Sequence, residues 1–421
     1  MVPVIVGAKG TTASPVPKAT PKPKYSLKVI KINCDDTATN RPFIPLRKNY
    51  ATLVSSEWTY GTTNKAIWGF VCKPTRPSFE INAQFEFKDT NGNNVPVQGT
   101  IKVTVGSSKK VISSNEVTMS RSGGNKTSIG KFTFTFPDIK VFSKQVMSIT
   151  FKYKDIAGKW VNMKKVPVTT YFIPSEPDKP WIINVKNNNH NPWTDALDML
   201  LAKWKVKGLG DTVKIATQIT QYTFSSINFY YEINQGATIL SKNNVFSCTD
   251  FIYNVNKKKK MTGNCSDCAT IVRTFSNLLG AKLIQIRFGN SGGYYCNKIK
   301  TIGYGKYWQY PFPEDVNGNR VDVSSNKSVR GGFGYHEIAS AGSGIYTDKI
   351  YDACLKVNKN AVNSTAPAEL LPTDKQFALF NTYSRILTSA DSIKYREMLV
   401  LNELAYLNNA GITGRRECTL E

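Results

Sequence analysis

The stretch GNCSDCATIVRTFSNLLG, from Gly263 to Gly280, sets Cys265 and Cys268 three residues apart. Three chemistries are compatible with that spacing. Cys248, Cys265, Cys268 and Cys296 could supply four thiolates to a zinc ion, although their intervals are irregular and no second C-x-x-C follows. The pair could be a redox dithiol, although the aromatic strand and compact βαβ unit that usually surround such a pair are missing. Or one cysteine is a nucleophile, which needs a base and a group to orient that base.

Ile271, Val272, Phe275, Leu278 and Leu279 recur at helical spacing, and Gly280 is a natural stop. Cys265 is therefore expected at or just before a helix N-terminus. There the helix dipole and open N–H groups favour a thiolate and can hold an oxyanion. The next segment, AKLIQIRFG, reads as a strand.

A base must come from a short supply, because the chain has two histidines. His190 lies in NNNHNPW, a polar loop. His336 lies in GGFGYHEIAS, a glycine-rich lead into a short strand. Sixteen residues later Asp352 sits between apolar neighbours in KIYDACLKV, which reads as another strand. Two antiparallel neighbours would set this carboxylate against the imidazole, fix its tautomer and turn the other ring nitrogen to a thiol. A buried Asp–His pair serving packing alone fits the same pattern.

These segments together resemble the transglutaminase-like superfamily. GNCSDCA…LLG resembles its G-x-C-x-D-x-A…L-L motif with Cys265 at the nucleophile position. YHEIAS resembles the histidine motif with His336 as base, and IYDACLKV the aspartate motif with Asp352 as orienting acid. The phrases NPWTDAL, NCSDCATIV, GYHEIAS and YDACLKVN look like those of a bacterial group within it. The similarity covers about Pro192 to Leu371. Glu337-Ile338 replace the aromatic that usually follows the histidine. A long insertion, NSGGYYCNKIKTIGYGKYWQYPFPEDVNGN, separates cysteine from histidine. The resemblance implies an α+β papain-like domain and a Cys265–His336–Asp352 triad. It also implies an oxyanion held by helix-start N–H groups with the Asn264 side chain, and no metal or other cofactor. Cys268 then fills a structural slot, and Asp267 anchors local backbone. The superfamily includes proteases, isopeptidases, amidases, deamidases and crosslinking enzymes.

The elements that must carry these residues follow from pattern. Residues 1–24 are rich in Pro, Thr, Ala and Lys and read as a basic extended arm. From 25 to 175 apolar residues alternate: Phe79, Ile81, Ala83, Phe85 and Phe87, then Ile101, Val103 and Val105. Phe132, Phe134 and Phe136 follow, then Met147, Ile149, Phe151 and Tyr153. Asn91-Gly92 marks a hairpin turn. This predicts an all-β, antiparallel sandwich of the immunoglobulin-like kind. PSEPDKPW bounds it. The catalytic domain is expected over 180–421, ending in a C-terminal helical extension. Its first helices are NPWTDALDMLLAKWKVKG, starting near Thr194 and stopping at Gly208, and DTVKIATQITQYTFSSI. The lysine run Lys257–Lys260 reads as a solvated loop.

Lys and Arg number 55 against 30 Asp and Glu, a net charge of +25. Residues 1–178 hold 26 basic and 11 acidic residues, and residues 179–421 hold 29 and 19, so the excess is general. Such a field favours anionic partners, whether nucleic acid, cell-wall polymer, membrane surface or an acidic cavity, and a lysine-rich proteome would give it too. Among substrates that also carry an amide, a bacterial cell-wall polymer is foremost. No apolar stretch is long enough to span a bilayer. The start of the chain makes a poor signal peptide, and a secreted, delivered or particle-associated protein is expected. The expected function is amide hydrolysis or acyl transfer on a peptide or amide substrate. The alternative is a structural or cargo component of a phage or injection particle that carries the domain as a passenger.

Overall fold

The computed structural model describes residues 25–34, 43–72, 78–89, 98–107, 110–113, 116–120, 129–135, 141–155, 157–182, 191–232, 237–240, 243–288, 294–295, 299–303, 332–333, 335–341, 350–357 and 412–421. The arm, the Asn91-Gly92 turn, Phe136, His190, Cys296, most of the long insertion and the C-terminal helical extension lie outside these residues.

The first region is built from β1 (Tyr25–Asn33), β2 (Phe43–Ile44), β3 (Glu57–Thr59), β4 (Ile67–Val71), β5 (Ser78–Asp89) and β6 (Gln98–Ser107). It continues with β7 (Lys110–Ser113), β8 (Val117–Ser120), β9 (Gly130–Thr135), β10 (Ser143–Lys154) and β11 (Trp160–Ile173). One sheet runs β3-β1-β5-β9, the other β2-β4-β11-β10-β6-β7 with β8 also on β6. Alternation drives the arrangement: the inward side chains of both sheets are buried in one apolar core, while their strand neighbours face out. Aromatic rings close the gap between the sheets, with Phe85 and Phe151 centroids 5.3 Å apart and Phe70 and Phe79 5.0 Å apart. The expected antiparallel sandwich holds except at β4 and β11, which pair in parallel from Ile67↔Thr169 to Val71↔Ile173. A period of two reads the same in either direction, so alternation cannot signal this.

The second region begins with α1 (Thr194–Lys203), α2 (Thr212–Ser225), β12 (Phe229–Tyr231), β13 (Val245–Phe246) and α3 (Cys248–Asn256). Then come β14 (Met261–Gly263), α4 (Cys265–Leu278), β15 (Leu283–Phe288), β16 (Tyr294–Tyr295), β17 (Ile299–Thr301) and β18 (Gly332–Phe333). β19 (His336–Ala341), β20 (Ile350–Tyr351), β21 (Leu355–Val357), β22 (Ile412–Arg416) and β23 (Thr419–Leu420) complete it. Its central sheet is β20-β19-β15-β22, with α4 laid against β15 and β19.

The two regions meet without a polar gap. Ile44, Leu46, Val71, Phe142 and Ile173 of the sandwich end pack in one core with Trp181, Trp193 and α1. Tyr171 donates its hydroxyl to Asp198 Oδ1 at 2.8 Å. The proline-rich boundary is seated as well: Trp181 Nε1 donates to the Thr274 carbonyl at 2.6 Å. A Cβ on Gly280, whose φ is +84°, would strike Ser175. A fragment beginning near Pro180 would uncover this apolar seam. No helix among the described residues is long and apolar enough to cross a membrane.

Candidate active site

α4 starts at Cys265 because the residues around it cap it from both sides. Asn264 Oδ1 accepts from the Ser266 amide at 2.9 Å and the Asp267 amide at 3.4 Å, and Asp267 Oδ2 accepts from the Asn264 amide at 2.9 Å. Gly263 has no room for a side chain, which would run into the Asp267 carboxylate and the Phe229 ring. Asp267 also accepts from the amides of Thr238, Ile239 and Leu240 at 2.9, 3.1 and 2.9 Å. Burial pushes its carboxyl up to about 6, against the pull of these four backbone donors. Asp267 thus pins a neighbouring loop to the helix start, as an anchor of local backbone would.

The helix differs from expectation in being buried on every side, not on one apolar face. Several of its polar side chains are met by specific partners. Asn277 Nδ2 donates to the carbonyls of Lys179 and Leu283, both at 2.8 Å, and its Oδ1 accepts from the Leu283 amide at 2.6 Å. Arg273 Nε donates to the Leu283 carbonyl at 3.4 Å.

His336 opens β19. β19 and β20 are antiparallel neighbours, with Ala339↔Tyr351 and Ser340↔Ile350 as partners. Asp352 lies just past β20 rather than within a strand. The chain turns there, Asp352 Oδ1 accepting from the Cys354 amide at 2.8 Å, and then β21 pairs with β17. The turn delivers Asp352 Oδ2 to His336 Nε2 at 2.8 Å. Cys265 lies close enough to the same ring to act on its charge. With Nε2 committed to Asp352, Nδ1 is the nitrogen that remains for the thiol. Cys265, His336 and Asp352 are 3%, 0% and 1% exposed.

Burial is the largest influence on His336 and disfavours the imidazolium. The charge and hydrogen bond of Asp352, followed by the influence of Cys265, outweigh it and raise the ring to about 10. Two of the three side chains singled out in the sequence, His336 and Asp352, are a buried hydrogen-bonded pair, and Cys265 is buried near them at a helix start. Such an arrangement can move a proton off a thiol and hold it on a ring.

The other thiols stand apart from that role. Cys268 and Cys354 lie in each other's field, and burial raises both thiols. Cys248 lies in the field of Cys418 instead of with Cys265, and burial raises it as well. Among the described residues no three His, Cys, Asp or Glu side chains are arranged to hold a metal ion. The lysine run follows α3 in exposed positions, where Lys259 sits over the Tyr253 ring at 4.7 Å and Lys260 over Tyr230 at 4.9 Å.

Asn264 is placed beside Cys265, and its Oδ1 is taken by capping. The Ser266 and Asp267 amides are taken by that Oδ1, and the Cys268 amide donates to the Asn264 carbonyl at 3.0 Å. The partners missed from sequence are Gln285 and Glu337, buried polar residues bonded between α4 and β19. The one signal was Glu337 itself, an acid where the histidine motif usually carries an aromatic.

No protein-family model matches the chain, and no curated protein matches it. Among solved structures, the crystal structure of red sea bream transglutaminase aligns over 72% of this chain and 53% of that one, with 10% identity and a TM-score of 0.37. The chain spans about half the length of that enzyme. A likeness that loose carries no argument about activity.

Proposed function

We propose that the protein is a cysteine-nucleophile amide hydrolase or acyl transferase of the transglutaminase-like kind, its α+β domain set behind an immunoglobulin-like sandwich. The observation that supports this most is the buried His336–Asp352 pair, with Nε2 and Oδ2 at 2.8 Å, near the helix start that carries the buried Cys265. Cys265 Sγ attacks the carbonyl carbon of a carboxamide or peptide. His336 takes the thiol proton and gives it to the departing amine, leaving a thioester. Water then attacks the thioester, or a second amine does so in the transfer reaction. Asp352 pushes the ring upward and so favours the imidazolium formed once the thiol proton has been taken, the state required when the amine leaves. Asp352 stabilises that imidazolium and fixes the ring. The Cys265 amide and Asn264 Nδ2 are the donors at the helix start for the tetrahedral oxyanion. Hydrolysis is the first choice, since water is the default acceptor.

The substrate proposed is an amide in or attached to an anionic polymer, bacterial cell wall first. The net charge of +25 supports this, because it raises the local concentration of such substrates. The rival, a particle component with a passenger domain, predicts an inert Cys265.

The test is alkylation of the full chain with iodoacetamide at neutral pH, mapped by mass spectrometry, for wild type and His336→Asn. It is followed by amide release from cell-wall polymers, casein and glutamine peptides across a salt series. Selective labelling of Cys265 that depends on His336, and turnover weakened by salt, are expected. A Cys265 that reacts no faster than a free thiol, with no change in His336→Asn, overturns the proposal.

A further inference from the structure

Gln285 on β15 is fully buried, and its side chain joins α4 to β19. Its Nε2 donates to the Ser266 carbonyl at 3.2 Å and to Glu337 Oε2 at 2.5 Å. Its Oε1 accepts from Thr270 Oγ1 at 3.0 Å, and the same hydroxyl lies 2.7 Å from the Ser266 carbonyl. Glu337, also buried, accepts at Oε1 from Arg287 Nε at 2.9 Å and Nη2 at 2.7 Å. The Arg287 guanidinium rests on the Tyr335 ring at 4.1 Å. The two ends of this truss are placed tellingly: Ser266 follows Cys265 in the chain, and Glu337 follows His336.

We infer that Gln285 and Glu337 are positioning residues that fix the separation of the Cys265 thiol from the His336 ring. The inference rests on the proposed nucleophilic role of Cys265. Thiol and imidazole come from elements remote in sequence, a helix and a strand. Apolar packing between them tolerates a small slide, whereas hydrogen bonds of fixed length and direction do not. A misplacement of about 1 Å in a reacting pair is enough to cost about a hundredfold in rate. Burying a carboxylate has a large desolvation cost, and an apolar side chain would fill the same space at least as stably. The charge at position 337 is thus better accounted for by geometry than by stability. Only an amide suits position 285, because it donates to two acceptors and accepts from a hydroxyl. A glutamate there would face Glu337 with no donor.

The experiment follows the rate constant for Cys265 alkylation by iodoacetamide from about pH 5 to about pH 10, a range spanning the ordinary His and Cys titrations. Wild type, His336→Asn, Gln285→Met and Glu337→Gln are compared as full chains, with thermal melts alongside. Gln285→Met should lower the neutral-pH rate by about tenfold or more and move its pH profile toward that of His336→Asn. Glu337→Gln, which keeps shape and loses charge, should fall between. A purely structural role would lower the melting temperature and leave the profile of the folded protein unchanged. If wild type and His336→Asn differ as expected while both truss variants keep the wild-type profile, this inference is overturned and the nucleophile proposal stands. If wild type and His336→Asn do not differ, the nucleophile proposal itself fails. Should Gln285→Met not fold, the near-isosteric Glu337→Gln decides, and a wild-type profile there refutes the truss.

Discussion

The sandwich and the surroundings of α4 are both buried, yet they are buried by opposite means. Inside the sandwich Phe79, Phe85, Phe132 and Phe151 exclude water by area and shape, and neighbouring side chains are loosely interchangeable. Around α4 the interior holds Asp267, Asn277, Gln285, His336, Glu337 and Asp352, each tied to named partners. The first kind of interior is strong and tolerant. The second is costly to desolvate, and in return it places atoms to within tenths of an ångström. Chemistry that depends on a proton passing between two side chains belongs in the second.

Four changes separate the two interiors. Cys265→Ala should have the largest effect, abolishing labelling at that position and all amide turnover, while the melting temperature and binding to anionic polymers stay near wild type. Surviving turnover in that variant would place the reaction elsewhere. Next, Phe85→Ala should destabilise the sandwich by about 3–5 kcal/mol in denaturant titrations, as a large core truncation does. The folded fraction should still label at Cys265 at the wild-type rate, and a matching drop in that rate would show that the two interiors are coupled.

A smaller effect is expected from pH. The His336 pKa is raised on folding from 6.5 to about 10, so between those values the folded chain binds the extra proton and the unfolded chain does not. Stability from this group is complete below about 6.5 and is lost as pH rises toward 10. Thermal melts should decline over that window, and His336→Asn should flatten the decline. The smallest effect belongs to Asp211, which caps α2 by accepting from the Val213 amide at 2.8 Å. Asp211→Ala should cost about 1 kcal/mol and leave Cys265 reactivity unchanged.

The same contrast explains what could be read from sequence. Alternation exposed the inward residues of β5, β6, β9 and β10, because each of those strands carries its own pattern, while inward residues of β1, β4 and β11 such as Val29, Trp68 and Val168 were not picked out. The start of α1, α2 and the start of α4 were legible for the same local reason: Asn264 and Asp267 form a cap, and Gly280 ends the helix with a positive φ, whereas α1 ends at Lys203 and not at the expected Gly208. Non-local facts were not legible. Nothing near Asp267 announces that Thr238, Ile239 and Leu240 will supply its donors. Nothing in AKLIQIRFG says that Gln285 faces a helix hydroxyl on one side and a glutamate on the other. Asp352 was found through its spacing from His336, while the turn that aims it needed Cys354 and the β17–β21 pairing to be known. The irregular cysteines illustrate the limit in reverse, since Cys248 shares a sequence neighbourhood with Cys265 but lies beside Cys418.

The last strands carry a consequence for how the chain is made. Every strand of the sandwich among the described residues lies within residues 25–173, so that region can fold as it leaves the ribosome. The second region has to wait. β22 pairs with β15 in the central sheet, β23 lies parallel to β13, and the Glu421 carbonyl accepts from the Thr249 amide at the start of α3. Until residues 412–421 have been synthesised, the edge of β15 stays open and the mouth of α3 unsealed. Cys265 therefore leaves the ribosome long before the sheet beside its helix is closed. A ribosome stalled before that point would carry a finished sandwich and an unfinished thiol site.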